Sequence, residues 1–363
     1  KNFFLTNFDG SFNFSSSGDY SIGNTNVSTS KISNDLTVSS FNFYTDIGII
    51  NDYNFLFKNI NSMSDNSIKY KNSPQSELMS AYFLNTSLPL QKITKNRKNT
   101  LTPKLKFGIS PHEMKYHANT NRRIAIHNVF SNSRLSLGDS FETGESITLG
   151  IDFKKEKITP ISNVDEIEGF SNSKKEIVTE IEEYFDFKLA TVFRFNREED
   201  IPTISTINEK TSNIFGLVGY KPTKNISLDY DYSLTNDLNI IEHQTISASY
   251  ITENFSSDFS FTEEAGILGD TNVVSNVTKL IDYKDYHNLS FSTRRNRKIN
   301  LTEYYDIIYE YKNDCLIAGI QYRKDYYKDN DIIPKEELFF SLTIVPFYTF
   351  SPDKMILNKD RID

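Results

Sequence analysis

Few residues in this chain could carry chemistry. Two histidines flank a carboxylate in His112-Glu113-Met114-Lys115-Tyr116-His117, an arrangement similar to the helical zinc-peptidase motif. That motif spaces its histidines so that both fall on one helix face. Here one extra residue separates them, and Pro111 precedes them in a strand-and-loop context. A zinc site needs both the ligand spacing and the supporting element, so no metal is expected, and these two histidines with His127, His243 and His287 read as isolated loop residues. Glu198-Glu199-Asp200 and Asp329-Asn330-Asp331 offer oxygen ligands for calcium but lack the glycine and distal glutamate of a hand-type loop; solvated loops are the simpler reading. No serine elbow, phosphate-binding glycine loop or nucleotide fingerprint occurs. No nucleophile–base set is visible, so neither catalysis nor a cofactor is expected. Two features remain. The single cysteine, Cys315, can form neither an intrachain disulfide nor a zinc cluster. The run Arg294-Arg295-Asn296-Arg297-Lys298 is the one concentrated basic cluster; it is either an ordinary charged loop or a contact for anionic lipid headgroups, since arginine pairs well with phosphate.

The elements that hold these residues are strands. The chain has 363 residues, of which 37% are hydrophobic, yet 13% are aromatic, with 28 Phe, 21 Tyr and no Trp. Disordered chains are poor in aromatics. The longest apolar stretches run to about five residues, as at Leu316 to Ile320, against the roughly 20 of a spanning helix; helical membrane proteins are excluded. With 40 basic and 48 acidic residues the net charge is −8, and no broad basic stretch exists to neutralise a phosphate backbone. No nucleic acid is expected as a partner. The dominant pattern is period two. In Ile226-Ser227-Leu228-Asp229-Tyr230-Asp231-Tyr232-Ser233-Leu234 one face is apolar or aromatic and the other, with Ser227, Asp229, Asp231 and Ser233, is polar. Phe185, Phe187, Leu189, Phe193 and Phe195 alternate with Asp186, Lys188, Ala190, Val192 and Arg194, and Leu338, Phe340, Leu342 and Ile344 form one face of a last strand at 336–346 that ends at Pro346.

Counting such runs predicts roughly 16 strands of about ten residues, the length that crosses a bilayer with tilt. Short turns near 221–224, 253–254, 282–284 and 312–314 alternate with longer, more polar links at 197–210, 235–240, 264–271, 295–298 and 327–335. Outer-membrane barrels have this alternation of short periplasmic turns and longer external loops, and it puts the basic cluster at an external hairpin end. Segment 155–183 breaks the pattern and reads as a charged insertion, with room for a short helix at Lys174 to Ile181. A soluble all-β fold is the alternative, but a sandwich would use shorter strands, and lipid-facing aromatic girdles account better for the Phe and Tyr excess. The fold expected is therefore an all-β, antiparallel transmembrane β-barrel occupying 1–363.

Several stretches go beyond pattern. Leu101-Thr102-Pro103-Lys104 leading to Ser110-Pro111, then Asn128-Val129-Phe130-Ser131-Asn132-Ser133-Arg134, Gly138-Asp139, Glu142-Thr143-Gly144 and Gly150 resemble the mid-chain segment of the lipopolysaccharide-assembly LptD family, whose spacing F-x-x-x-R-x-x-G-x-D-x-x-x-x-G is kept at Phe130, Arg134, Asp139 and Gly144, with the first glycine one residue later at Gly138. Asp314-Cys315-Leu316 with Gly319, Tyr322 and Arg323 is similar to that family's cysteine-bearing penultimate strand, and Leu338 to Thr343 to its last strand. The opening Leu5 to Gly10 and the midsection Pro202 to Leu234 look like divergent, Asn-rich alphaproteobacterial members.

The resemblance implies a translocon in the bacterial outer membrane that receives lipopolysaccharide from a periplasmic Lpt bridge and inserts it into the outer leaflet. In the family an N-terminal periplasmic jelly roll precedes a 26-stranded barrel plugged by the lipoprotein LptE. There is no room here for the jelly roll, so the chain, which opens at Lys1 without Met or a recognisable signal peptide, reads as the incomplete, C-terminal barrel portion. The family's lateral gate lies between first and last strands, which assigns Leu338, Phe340, Leu342, Ile344 and Pro346 to the gate. Pro346 either weakens closure there or only marks the strand end. Cys315 matches the cysteine that in the family bonds to the N-terminal domain, in keeping with an oxidising periplasm; the other reading is a small residue set in a strand. Ser227, Asp229, Asp231 and Ser233 would line a polar lumen, and Arg294, Arg295, Arg297 and Lys298 would meet lipid phosphates. A porin-like passive channel is the alternative function; a surface adhesin or an outer-membrane enzyme would carry neither the matched segments nor, for the enzyme, a visible site.

Overall fold

Aromatic and β-branched residues alternating with short polar ones favour a pleated, half-buried surface, and the computed structural model is built of antiparallel strands throughout. It describes residues 2–5, 8–23, 26–67, 70–161, 178–266, 269–282, 286–326, 335–345, 348–350 and 355–356. The chain divides into two units, Lys1–Leu217 with Ser233–Asn239, and Val218–Tyr232 with Ile240–Asp363.

The first unit contains β1 (Asn2–Leu5), β2 (Phe8–Ile22), β3 (Ser28–Ser40), β4 (Phe43–Tyr44), β5 (Ile50–Asp65), β6 (Gln75–Ser87), β7 (Leu90–Thr94), β8 (Arg97–Ser110), β9 (Gly144–Ile161) and β10 (Val178–Arg194). β1, β2, β3, β5, β6, β8, β9 and β10 pair in that order, each antiparallel to the next, while β4 pairs with β5 and β7 with β8. Pro103 sits where β8 changes partner along one edge. β6 stops at Ser87↔Lys104 and β7 begins at Leu90↔Leu101, and the Pro103 carbonyl accepts the Leu88 N–H at 3.1 Å. A residue with no N–H of its own costs nothing at such a break.

The two faces of this sheet have inverted polarity. Leu105, Leu149 and Ile151 are 38%, 42% and 41% exposed, whereas Lys106 and Thr148, on the opposite face, are 2% and 1% exposed. A water-soluble sheet buries the apolar face and solvates the polar one.

In sequence β11 (Ile214–Thr223) and β12 (Ile226–Leu234) follow. The second unit then runs β13 (Ile241–Ile251), β14 (Phe255–Glu264), β15 (Thr271–Ile281), β16 (His287–Asn296), β17 (Leu301–Lys312), β18 (Leu316–Asp325) and β19 (Lys335–Ile344), with each of β14 to β19 antiparallel to its predecessor. The inversion recurs here. Phe259, Leu289, Ile307, Ile320 and Phe340 are exposed, while Asp306 and Glu337 are buried on the other face.

Three expectations change. The described residues form 21 strands rather than roughly 16. Ser28 to Asn34, β7 and the two last segments carry too few apolar residues in alternation to register as strands. The described ends of segment 155–183 extend the β9–β10 hairpin, paired from Glu156↔Glu183 to Ile161↔Val178, with a bulge at Tyr184, and 162–177 lie outside the described residues. Within Lys174 to Ile181, Val178 to Ile181 are strand and not helix, and 174–177 lie outside the described residues. Finally, β19 is not the last strand: β20 (Tyr348–Phe350) and β21 (Met355–Ile356) return along it, pairing Leu342↔Phe350 and Glu337↔Ile356. Pro346 lies outside the described residues.

Candidate functional site

The buried polar face of the first unit is covered by residues 111–143, which the strand pattern skipped and which form no strand. Their apolar residues make a small core. Met114, Ile124, Ile126, Val129 and Leu135 pack with Ala190 and Val192 of β10, with Ile201 and Ile207 of the following loop, and with Phe215. This explains why two positions on the polar side of β10 are small and apolar: they are the floor of that core. The loop joins in through its backbone, the Asp200 carbonyl accepting the His117 N–H at 2.9 Å.

Around this core runs a network of charges. Arg134 forks the Glu142 carboxylate, donating from Nε to Oε2 at 2.8 Å and from Nη2 to Oε1 at 2.5 Å. Its other donors reach Thr148 Oγ1 at 2.9 Å and Ser146 Oγ at 3.2 Å on β9. Arg194 of β10 approaches the same carboxylate at 2.5 Å and also donates to the Thr143 carbonyl. Burial alone would raise the Glu142 pKa, but the charges of Arg134, Arg194 and Lys106 outweigh it and hold it down at about 2. Lys106 of β8 donates to the Ser131 and Phe130 carbonyls at 2.6 and 3.2 Å, and its ammonium lies 4.3 Å from the centre of the Phe83 ring. His117 Nε2 and Asp139 Oδ1 are 2.8 Å apart, with both side chains buried. Between the segment and the sheet a cavity of about 300 Å3 is lined by Lys58, Asp35, Ser133, Arg134, Ser140 and Glu142 among others.

Two glycines are required for this closure. A Cβ on Gly150 would stand 2.7 Å from the Phe130 ring and 2.9 Å from the Leu189 carbonyl. Gly144, which opens β9, has φ +78 and is pressed by Glu198 and Arg194. The spacing from Phe130 through Arg134, Asp139 and Gly144 is thus the spacing of a segment docked by one ring, one ion pair, one histidine–aspartate contact and one left-handed turn. Sequence pattern alone missed these partners. Their only signal was that spacing.

The residues singled out from the sequence fall in separate places. Ser227, Asp229 and Asp231 are half-buried on β12, and Ser233 is buried, accepting a hydrogen bond from Asn213 Nδ2 at 3.1 Å. Tyr230 and Tyr232, which alternate with them, stack at 5.3 Å. On β19, Phe340, Leu342 and Ile344 are exposed on one face and Leu338 is half-buried. Cys315 is free and exposed, held by Asn313 Oδ1, which accepts the N–H of Cys315 at 2.9 Å and of Leu316 at 2.8 Å. The basic cluster ends β16, with Arg294 paired to Glu303 at 2.8 Å and Lys298 to Asp270. His112 and His117 do not converge: His112 Nε2 lies 3.2 Å from Ser80 Oγ. Among the described residues no group of three or more His, Cys, Asp and Glu side chains is placed to hold a metal ion. Asp329 to Asp331 lie outside the described residues.

An antiparallel all-β chain that exposes its apolar face and covers its polar one belongs to the outer-membrane β-barrel class. Comparison narrows the class: the family model for LptD, LPS transport system D, matches residues 28–273, two thirds of the chain. The chain belongs to the LptD family and is an outer-membrane protein of lipopolysaccharide transport. No curated protein sequence matches it. Among solved structures, a triple mutant of Rh. blastica porin is 9% identical with a TM-score of 0.30, covering 82% of this chain and 86% of the porin. A double mutant of the same porin is 10% identical with a TM-score of 0.30, covering 87% and 93%.

Proposed function

We propose that this chain is the C-terminal barrel portion, spanning 1–363, of an alphaproteobacterial-type lipopolysaccharide translocon. It inserts lipopolysaccharide into the outer leaflet through a barrel lumen and a lateral gate, without covalent chemistry. The substrate's acyl chains must avoid water while its sugars and phosphates avoid hydrocarbon, which calls for a polar interior joined to an opening into lipid. The observation that carries this reading is the inverted sheet of the first unit, whose polar face holds the Arg134, Glu142 and Lys106 network within the stretch matched by the family. In this reading Ser227, Asp229, Asp231 and Ser233 meet saccharide, and β19, with Leu338, Phe340, Leu342 and Ile344, forms the gate side. Cys315 bonds to a cysteine of an N-terminal periplasmic domain, an LptE-like lipoprotein plugs the lumen, and the Lpt bridge delivers substrate. The test is depletion of the protein in its host, followed by complementation with the wild-type gene. Loss of newly made lipopolysaccharide from the cell surface, restored by the gene, is the expected result. Unchanged surface lipopolysaccharide together with lost small-solute permeability would replace this reading with a passive channel.

A further inference from the structure

The four cations at the tip of the β16–β17 hairpin are not equivalent. Arg294 lies in register with the polar side of β16, beside Ser290 and Ser292, and is paired to Glu303 at 2.8 Å; Lys298 is paired to Asp270. Arg295 lies on the other side, in line with Leu289, Phe291 and Thr293, and its cross-strand neighbour on β15 is Val274. Val274 in turn faces Phe261 of β14, and the Arg297 guanidinium stands 6.0 Å from the centre of that Phe261 ring. Arg295 therefore ends the row of Phe261 and Val274, and Arg297 lies just beyond that row, so the two arginines cap the apolar face. Among the described residues neither has a carboxylate partner: Arg295 donates to Asn300 Oδ1, and Arg297 donates its backbone N–H to the Asn272 carbonyl at 2.7 Å. Glu263, which lines a hollow with Arg297, is held by the side-chain amides of Gln244 and Asn272 at 2.6 and 3.0 Å. A second hollow of about 450 Å3 is lined by Val274, Arg295, Arg297 and Asn300.

We infer that Arg295 and Arg297 form a binding site for the phosphate of a membrane lipid, with Val274 and Phe261 beneath it against the start of the acyl region. Arginine binds phosphate through several donors at once. Cations at the boundary of an apolar band keep their charge in the headgroup layer while their stems lie along hydrocarbon. This rests on the outer-membrane reading of the fold and not on the gate or on transport. The shared chemistry is a phosphate ester, whose source is either a phosphorylated saccharolipid or a glycerophospholipid.

Native mass spectrometry of the detergent-folded, heat-modifiable protein tests it, with lipid A, dephosphorylated lipid A, phosphatidylglycerol and phosphatidylcholine as probes. The expected result is at least tenfold tighter retention of lipid A or phosphatidylglycerol than of dephosphorylated lipid A, with the stronger of the two naming the source. R295A/R297A should abolish that preference. R294Q/K298Q, which removes the cations already paired with carboxylates, should change it less than threefold. Equal retention of all four lipids by correctly folded protein overturns the site, as does a preference that survives R295A/R297A. If R295A/R297A loses heat-modifiable folding, R295K/R297K serves instead, with at least a threefold loss expected and no loss contradicting the site. Either negative leaves lipopolysaccharide transport untouched, since surface delivery is scored separately in the depletion strain.

Discussion

Arg134 and Glu142, eight residues apart in a segment without regular structure, meet as a two-pronged ion pair at 2.8 and 2.5 Å. The pair fixes a loop onto the polar side of a sheet whose other side is greasy. Its geometry matters because a buried charge left without its partner is far more costly than the pair is favourable.

Arg134→Ala should therefore undock residues 111–143 while leaving the strands paired. Removal of one partner of a buried pair costs about 3–5 kcal/mol. Limited proteolysis of the folded protein should then cut within 111–143 in the variant and not in the wild type. Arg134→Lys should rescue poorly, because an ammonium cannot reproduce the fork. Equal protection in all three proteins would remove the pair from the docking scheme.

Acid should loosen the same segment with a defined sign. The folded-state pKa of Glu142 lies below its ordinary value of 4.5, at about 2. A depressed carboxylate contributes stability that is present above the unfolded pKa and lost as pH falls through the folded one. The contribution is about 3 kcal/mol by linkage. Hydrogen exchange within 111–143 should differ between wild type and Glu142→Gln by a constant amount above about pH 5, and the difference should shrink from pH 4.5 toward 2. A difference that grows on acidification would contradict it.

Gly150→Ala should displace the Phe130 ring, which a Cβ would meet at 2.7 Å. Overpacking of this kind costs about 1–3 kcal/mol. Gly18→Ala, whose Cβ would meet nothing closer than 3.9 Å, should change stability by less than about 0.5 kcal/mol. The temperature of the heat-modifiable shift on gels separates them, and equal temperatures for both variants would mean that Phe130 does not need the glycine.

Cys315, exposed beside the turn at Asn313, should resist maleimide labelling in native membranes until a reductant is added, if it is bonded to another domain. Labelling without reductant would rule that pairing out.

How much of this was legible in the sequence depends on what each residue answers to. Strands such as Ile226–Leu234 announce themselves because their alternation is complete. Segments such as Ser28 to Asn34, built of serine, threonine, lysine and asparagine with one isoleucine, do not, since their pairing partners on β2 and β5 supply the order. The same holds for the charged ends of β9 and β10, where Glu156 to Ile161 and Val178 to Glu183 are held in strand by each other. The family resemblance assigns the gate to 336–346 as the last strand, but β20 and β21, too short to announce themselves, pair along β19 beyond it. Least visible was the Arg134 network. Its members lie on a loop and on two strands, so only the fold brings Lys106, Arg134, Glu142 and Arg194 together.

The most direct measurement is photocrosslinking in living cells, with a photoreactive amino acid placed in turn at Ser227, Asp229 and Asp231 and, as controls, at the exposed apolar positions Leu228 and Phe259. Lipopolysaccharide adducts at the polar positions, formed only while synthesis is active and absent at the controls, are the result expected of a translocon with a polar interior. Adducts at Leu228 and Phe259 but none at Ser227, Asp229 or Asp231 would contradict passage of lipopolysaccharide along that face.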